Sequence, residues 1–144
     1  MVAVRRLALV FVVVLALAAC GGGSKAGGDA TAQIKSAYAK FFSSKTALST
    51  RIGLLQNGSK FTSVISALAK NPLASDTSAT VSSVNLEGAN KAKVVYTVNV
   101  SGSPLLENKT GTAVRIGGKW KVGYASLCKL IALEGPAPAA CHSG

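Results

Sequence analysis

Acidic residues are scarce in this 144-residue chain: Asp29, Asp76, Glu87, Glu107 and Glu134 are the full set, and His142 is the sole histidine. Acid–base catalysis needs a carboxylate or histidine placed at the reacting group, and a metal centre needs clustered His, Cys and carboxylate ligands. The five acids fall in a glycine-rich leader, in turns or in the tail, and none sits on the apolar face of an expected strand. The sequence therefore points away from an enzyme and calls for no cofactor and no metal. Serines and threonines are plentiful, but no base is placed to activate one. No glycine-rich loop opens a helix as a phosphate cradle, and Gly21-Gly22-Gly23 reads as a tether. The longest apolar run covers residues 7–19, 13 residues, short of the roughly 20 that a spanning helix needs. Basic residues never form a dense run and no nucleic-acid motif is present, so nucleic acid is a poor partner.

What the chain does have begins at its N-terminus. Arg5 and Arg6 precede the apolar run, which ends Leu17-Ala18-Ala19-Cys20 before a glycine-rich stretch. A charged segment, an apolar segment and small residues at a cut site make a secretory signal. With cysteine just after the cut, the arrangement resembles the lipobox of bacterial lipoproteins. That resemblance implies acylation of Cys20, which becomes the mature N-terminus and holds the protein outside the cell on the membrane. An ordinary cleaved signal, an uncleaved anchor and twin-arginine export are the competing readings. Residues 1–19 are thus read as signal and 20–30 as a lipidated, flexible tether, spanning about 17 Å as a ten-residue coil. Residues 31–133 make one domain, and 134–144 a tail.

Removing Arg5 and Arg6 from the 16 basic residues leaves 14 against 5 acidic, a net +9. A basic domain held near anionic lipid is drawn to the surface or to acidic envelope polymers. The plainer reading is a solvated lysine surface. With Cys20 lipidated, Cys128 and Cys141 remain, and outside the cytoplasm such a pair joins. A reactive thiol served by His142 is the weaker alternative, because nothing orients that ring.

Residues 31–43 place Ile34, Ala37, Tyr38, Phe41 and Phe42 on one helical face. Residues 46–56 predict a second helix, stopped by Asn57-Gly58. A third follows a Ser59 cap, with Phe61, Val64, Ile65 and Leu68 inward, and ends at Asn71-Pro72. Residues 76–80 read as polar linker. Strands are expected at 81–86, 91–100, 108–115 and 119–128. In the second, Ala92, Val94, Tyr96, Val98 and Val100 share a face. For the last hairpin a three-residue loop, 116–118, is preferred over a two-residue Gly117-Gly118 loop. It sets Val114 opposite Trp120 and keeps lysines off the apolar face. The pattern is an α+β domain, three helices packed on one face of a four-stranded antiparallel meander.

Two candidate surfaces emerge. Tyr38, Phe42, Tyr96, Trp120 and Tyr124 could line an apolar pocket between helices and sheet, or simply fill the core. Lys91, Lys93, Arg115, Lys119 and Lys121 form a candidate basic face on the other side. The Leu105-Leu106 pair is odd for a loop and suits a cap over the open sheet end, a partner contact or a fold back onto the core.

From Ile34 onward the chain resembles the low-molecular-weight secreted antigen family of mycobacteria and related actinobacteria. The segments that carry this are Phe41-Phe42, Leu54-Leu55-Gln56-Asn57-Gly58, Asn71-Pro72-Leu73-Ala74 and Ala79-Thr80-Val81-Ser82-Ser83-Val84. Thr110-Gly111-Thr112-Ala113-Val114, Trp120-Lys121-Val122 and Ser126-Leu127-Cys128 continue it, in order, over residues 31–133. The resemblance implies a helix-plus-curved-sheet domain similar to nuclear-transport-factor-2-like or cystatin-like cone folds. It also implies export, and T-cell recognition in pathogenic members, and offers no catalytic residues. The family's best-known member is freely secreted, whereas this chain carries a lipobox, so surface attachment is expected unless the tether is cut. The function expected is a non-enzymatic envelope lipoprotein whose basic domain binds an envelope protein or anionic glycopolymer. The alternatives are a carrier of a small hydrophobic ligand and, less favoured, a cone-fold enzyme.

Overall fold

The computed structural model describes residues 22–143. The expected signal and Cys20 lie outside the described residues. The element order is α1 (Gly22–Phe42), α2 (Leu48–Leu54), α3 (Thr62–Ala69), β1 (Thr77–Leu86), β2 (Lys91–Val100), β3 (Ser103–Ile116), β4 (Lys119–Val122) and α4 (Tyr124–Ile131). The strands form one antiparallel sheet in the order β1-β2-β3-β4. Its register shifts within the β1–β2 and β2–β3 pairs, and such bulges bend a sheet. Among the described residues the result is a mixed α+β domain with a curled sheet and four helices where three were expected.

β2 follows the alternation of its sequence. Ala92, Val94, Tyr96 and Val98 are buried, while Lys91 and Lys93 are exposed. α1 lies on that buried face through Ile34, Ala37, Tyr38 and Phe41, the i, i+3, i+4, i+7 spacing of one helical stripe. Its start corrects the expected tether, because the helix begins at Gly22. A Cβ on Gly27 would stand 3.9 Å from Leu86, and Ala30 packs against the core. Small residues let the helix lie close to β1, and packing outweighs their poor propensity.

α2 is shorter than residues 46–56. After Leu54 the chain turns extended, Leu55 bridges Val122 in parallel, and the Gln56 amide donates to the Val122 carbonyl at 2.8 Å. This segment covers the outer edge of β4. Asn57 then takes a left-handed φ of 55°, and a Cβ on Gly58 would collide with the Ile52 carbonyl. Ser59 is not a side-chain cap. A 3-10 turn, Gly58–Phe61, leads into α3, and the Thr62 hydroxyl donates to the Ser59 carbonyl at 2.9 Å.

Three strand boundaries also need correction. β1 starts at Thr77 rather than Val81, because a second 3-10 turn (Pro72–Asp76) carries the chain directly into the sheet. The Thr77 hydroxyl donates to the Phe42 carbonyl at 3.0 Å, fixing that entry. β3 starts at Ser103 rather than Asn108, because Ser101 and Gly102, at φ 51° and 76°, make a tight turn. Leu105 and Leu106 are therefore strand residues. β4 ends at Val122 rather than Cys128. The Gly123 amide donates to the Thr112 carbonyl at 2.8 Å, and the chain turns into α4, with Leu127 buried and Leu130 and Ile131 half-buried.

The last hairpin takes the two-residue loop, not the three-residue one. Ile116 pairs with Lys119, Arg115 with Trp120, Val114 with Lys121 and Ala113 with Val122. Gly117 and Gly118 both have positive φ, 57° and 78°, as a type I′ turn requires, and that turn matches the strand twist. Burial of Ala113, Trp120 and Val122 sets the inner face, and Val114 goes to the outer one.

Candidate functional site

The five aromatics considered for one pocket do not share one. Tyr38 and Tyr96 are fully buried, with ring centroids 4.9 Å apart, and Phe42 stacks on Tyr96 at 5.4 Å. The Tyr38 hydroxyl donates to the Thr112 carbonyl at 2.7 Å and lies 3.1 Å from Ser126 Oγ. Ser126 Oγ in turn accepts from the Thr112 amide at 2.8 Å. Burial pushes the Tyr38 phenol up to about 12, partly offset by the Ser126 hydrogen bond. Burial and the neighbouring Tyr38 raise Tyr96 as well. These are core groups whose ionised form burial disfavours. Trp120 is buried beside an open groove of about 390 Å³ between α1 and the last hairpin, which Lys40 and Lys119 also line. Tyr124 stacks on Phe61 at 6.1 Å, away from the other four.

The lysines gather more closely. Register puts Lys91 opposite Val114, and Val114 opposite Lys121. Lys93 lies opposite Thr112 on one side and Asn85 on the other, and Lys119 opposite Ile116. The register sets all four on the sheet face opposite Trp120 and Val122, with Lys119 at the hairpin end also reaching the groove beside α1. Arg115 leaves this set, because its partner is Trp120 and its side chain shares the Trp120 face. Lys91 reaches Glu87 at 3.7 Å, the one ion pair among the described residues. On this face Val114 lies between Lys91 and Lys121 and Thr112 stands beside Lys93, while Thr110, Thr97, Asn99 and Thr80 lie farther along the sheet.

A cavity of about 190 Å³ lies where α1, α3 and α4 meet the ends of β2 and β3. Phe42 lines it, the single overlap with the aromatic set. So do Leu68, Val98, Leu106 and Leu130, with exposed Leu73 and Leu105 at its rim. Leu105-Leu106 thus has a place, as wall and mouth of this cavity. Arg51 also lines it, a residue that the sequence reading passed over. Arg51 is 9% exposed, its Nη2 donates to the Ser43 carbonyl, and its buried Nε has no partner. Desolvation lowers the Arg51 pKa from its ordinary value. A signal for it was available, since Leu48, Arg51, Ile52 and Leu55 fall on one helical stripe and a cation interrupts the apolar set.

Cys128 and Cys141 form a disulfide with Cα atoms 5.8 Å apart. Among the described residues, no three His, Cys, Asp or Glu side chains come together as a metal set. No curated protein matches the chain. A family model described as low molecular weight antigen MTB12, C-terminal domain, matches residues 28–138.

Proposed function

The chain belongs to the family of the low molecular weight antigen MTB12 C-terminal domain, and from that premise we propose a non-enzymatic, extracytoplasmic binding domain. Its outer sheet face binds an anionic envelope glycopolymer. The observation that carries this is the convergence of Lys91, Lys93, Lys119 and Lys121 on one uncovered sheet face. Thr112 beside Lys93 and the hydroxyl and amide side chains farther along the face suit sugar hydroxyls, and the lysines suit the polymer's charges. An extracytoplasmic setting is supported by the antigen family and by the disulfide, which persists in oxidising compartments.

Polygalacturonate, an anionic polysaccharide, is a direct probe, with neutral dextran as control. Affinity should fall steeply as salt rises from 50 to 500 mM, because exposed charges are screened beyond about a Debye length. K119E/K121E should weaken binding by about tenfold or more. K35E/K40E, with the same charge change on exposed positions of α1, should weaken it far less. Equal losses would mean general charge attraction without a face. Binding that ignores both variants would remove the proposal.

The same reading places lipid on Cys20 as the membrane anchor, on the strength of Leu17-Ala18-Ala19-Cys20. Mass spectrometry of the protein from its native envelope should show a mature chain starting at Cys20 with covalent acyl mass. An unmodified Cys20 would refute anchoring and leave a secreted domain. The cavity supports a second reading, that the domain also carries a small hydrophobic ligand.

A further inference from the structure

Arg51 is the group in this molecule that the fold leaves least explained. Its guanidinium sits in an apolar wall, uses one donor on the Ser43 carbonyl, and leaves Nε unpartnered. No carboxylate lies within ion-pair distance of it among the described residues. Arginine stays charged in proteins, and a buried charge without a counter-ion is costly. A guanidinium with a free donor in a cavity wall is suited to hold an anion.

The cavity supplies the rest of the recognition. Leu68, Leu106 and Leu130 offer an apolar lining, and Leu73 and Leu105, 70% and 63% exposed, flank the mouth as a greasy entrance. Its volume of about 190 Å³ exceeds the roughly 150 Å³ of an apolar cavity that takes up benzene. That suits one short aliphatic chain and is too small for a diacyl lipid. We propose that this cavity binds an alkyl carboxylate, its chain among the leucines and its head on the Arg51 guanidinium. The planar fork of arginine fits a carboxylate better than a lysine ammonium does. Glu134 also lines the cavity and opposes an anion, but its residue is exposed, where solvent screens it. This inference rests on the carrier reading and adds the ligand class to it.

Octanoate and 1-octanol, equal in chain length and different in charge, are the probes. Calorimetric titration of the full-length protein should give octanoate about tenfold tighter binding than octanol. Amide shifts in NMR should centre on Leu106 and Leu130. R51Q should abolish the preference for octanoate over octanol, and E134Q should modestly strengthen octanoate. K119E/K121E should have no effect, and a loss there would move the site to the outer face and overturn the assignment. Equal affinity of the unaltered protein for both probes would overturn the anion site while leaving a neutral carrier. Binding of neither would overturn both. The comparison between probes needs no variant, so a poorly folded R51Q cannot mask the answer.

Discussion

Gly111→Ala should destabilise the domain by about 3 kcal/mol or more. Gly111 pairs with Val94 on the inner face of the sheet, directly beneath α1. A Cβ there would stand 2.5 Å from the Tyr38 hydroxyl, 2.6 Å from Ser126 Oγ and 2.9 Å from Tyr96 Cε1. None of the three has slack. The Tyr38 hydroxyl is tied to the Thr112 carbonyl and Ser126 Oγ to the Thr112 amide, and the Tyr96 ring is wedged between Tyr38 and Phe42. Overpacking alone costs about 1–3 kcal/mol. Displacing the hydroxyls adds about 1–3 kcal/mol for each buried polar group left unpaired. The melting temperature should fall by roughly 10 °C or more. Gly28→Ala is the control, since its Cβ meets nothing within 4 Å on α1 and should be neutral or stabilising by up to about 1 kcal/mol. A Gly111→Ala protein melting with the unaltered one would show that the cluster yields, contrary to the packing described.

Replacing both Cys128 and Cys141 with serine should cost about 3 kcal/mol. The bond closes a loop with a sequence separation of 13, and the chain-entropy model gives about 3 kcal/mol for a loop of this size. The tail has little else to hold it. Ala140 and Cys141 pack against the edge of the core, and Lys60 Nζ donates to the Ser143 carbonyl at 3.0 Å from an exposed position. A thermal scan of the oxidised protein with and without dithiothreitol would show a drop of about 10 °C. Limited proteolysis should then cut near residues 134–139, which the bond protects when formed. An unchanged melting curve together with an intact tail would mean that non-covalent packing suffices.

The elements read correctly were those whose own side chains alternate between water and core. β2 runs Lys91–Val100 as expected because Ala92, Val94, Tyr96 and Val98 repeat with period two. The inward stripe of α1 was visible for the same reason at period 3.6. β1 was read short because Thr77, Ser78 and Thr80 are polar on both faces, and hydrogen bonds of the turn before it fix its start. In the last hairpin apolar matching favours a three-residue loop, and turn stereochemistry overrules it. Two adjacent glycines at positive φ decide that loop, and Lys119 and Lys121 then share the outer face with Val114. That choice moved Arg115 off the basic face while leaving the four lysines together. α4 was mistaken for strand because Trp120-Lys121-Val122 alternates and Gly123 gives no local sign that it sits under Thr112. The cavity is not legible in the sequence pattern, since it needs α4 and the early start of β3. Arg51 was visible as a cation on an apolar helical stripe, but its burial depends on how α2 meets the cavity.

The hydrogen bonds that seal the centre join Tyr38 to Thr112 and Ser126, 74 and 88 residues apart in sequence. Closing loops of that length is entropically expensive and makes assembly slow. Because α4 supplies the last of these partners, α1 cannot be locked onto the sheet until residue 126 has arrived. A chain emerging from a ribosome or a membrane pore N-terminus first therefore stays pliable for most of its passage, and its interior becomes rigid only near the end.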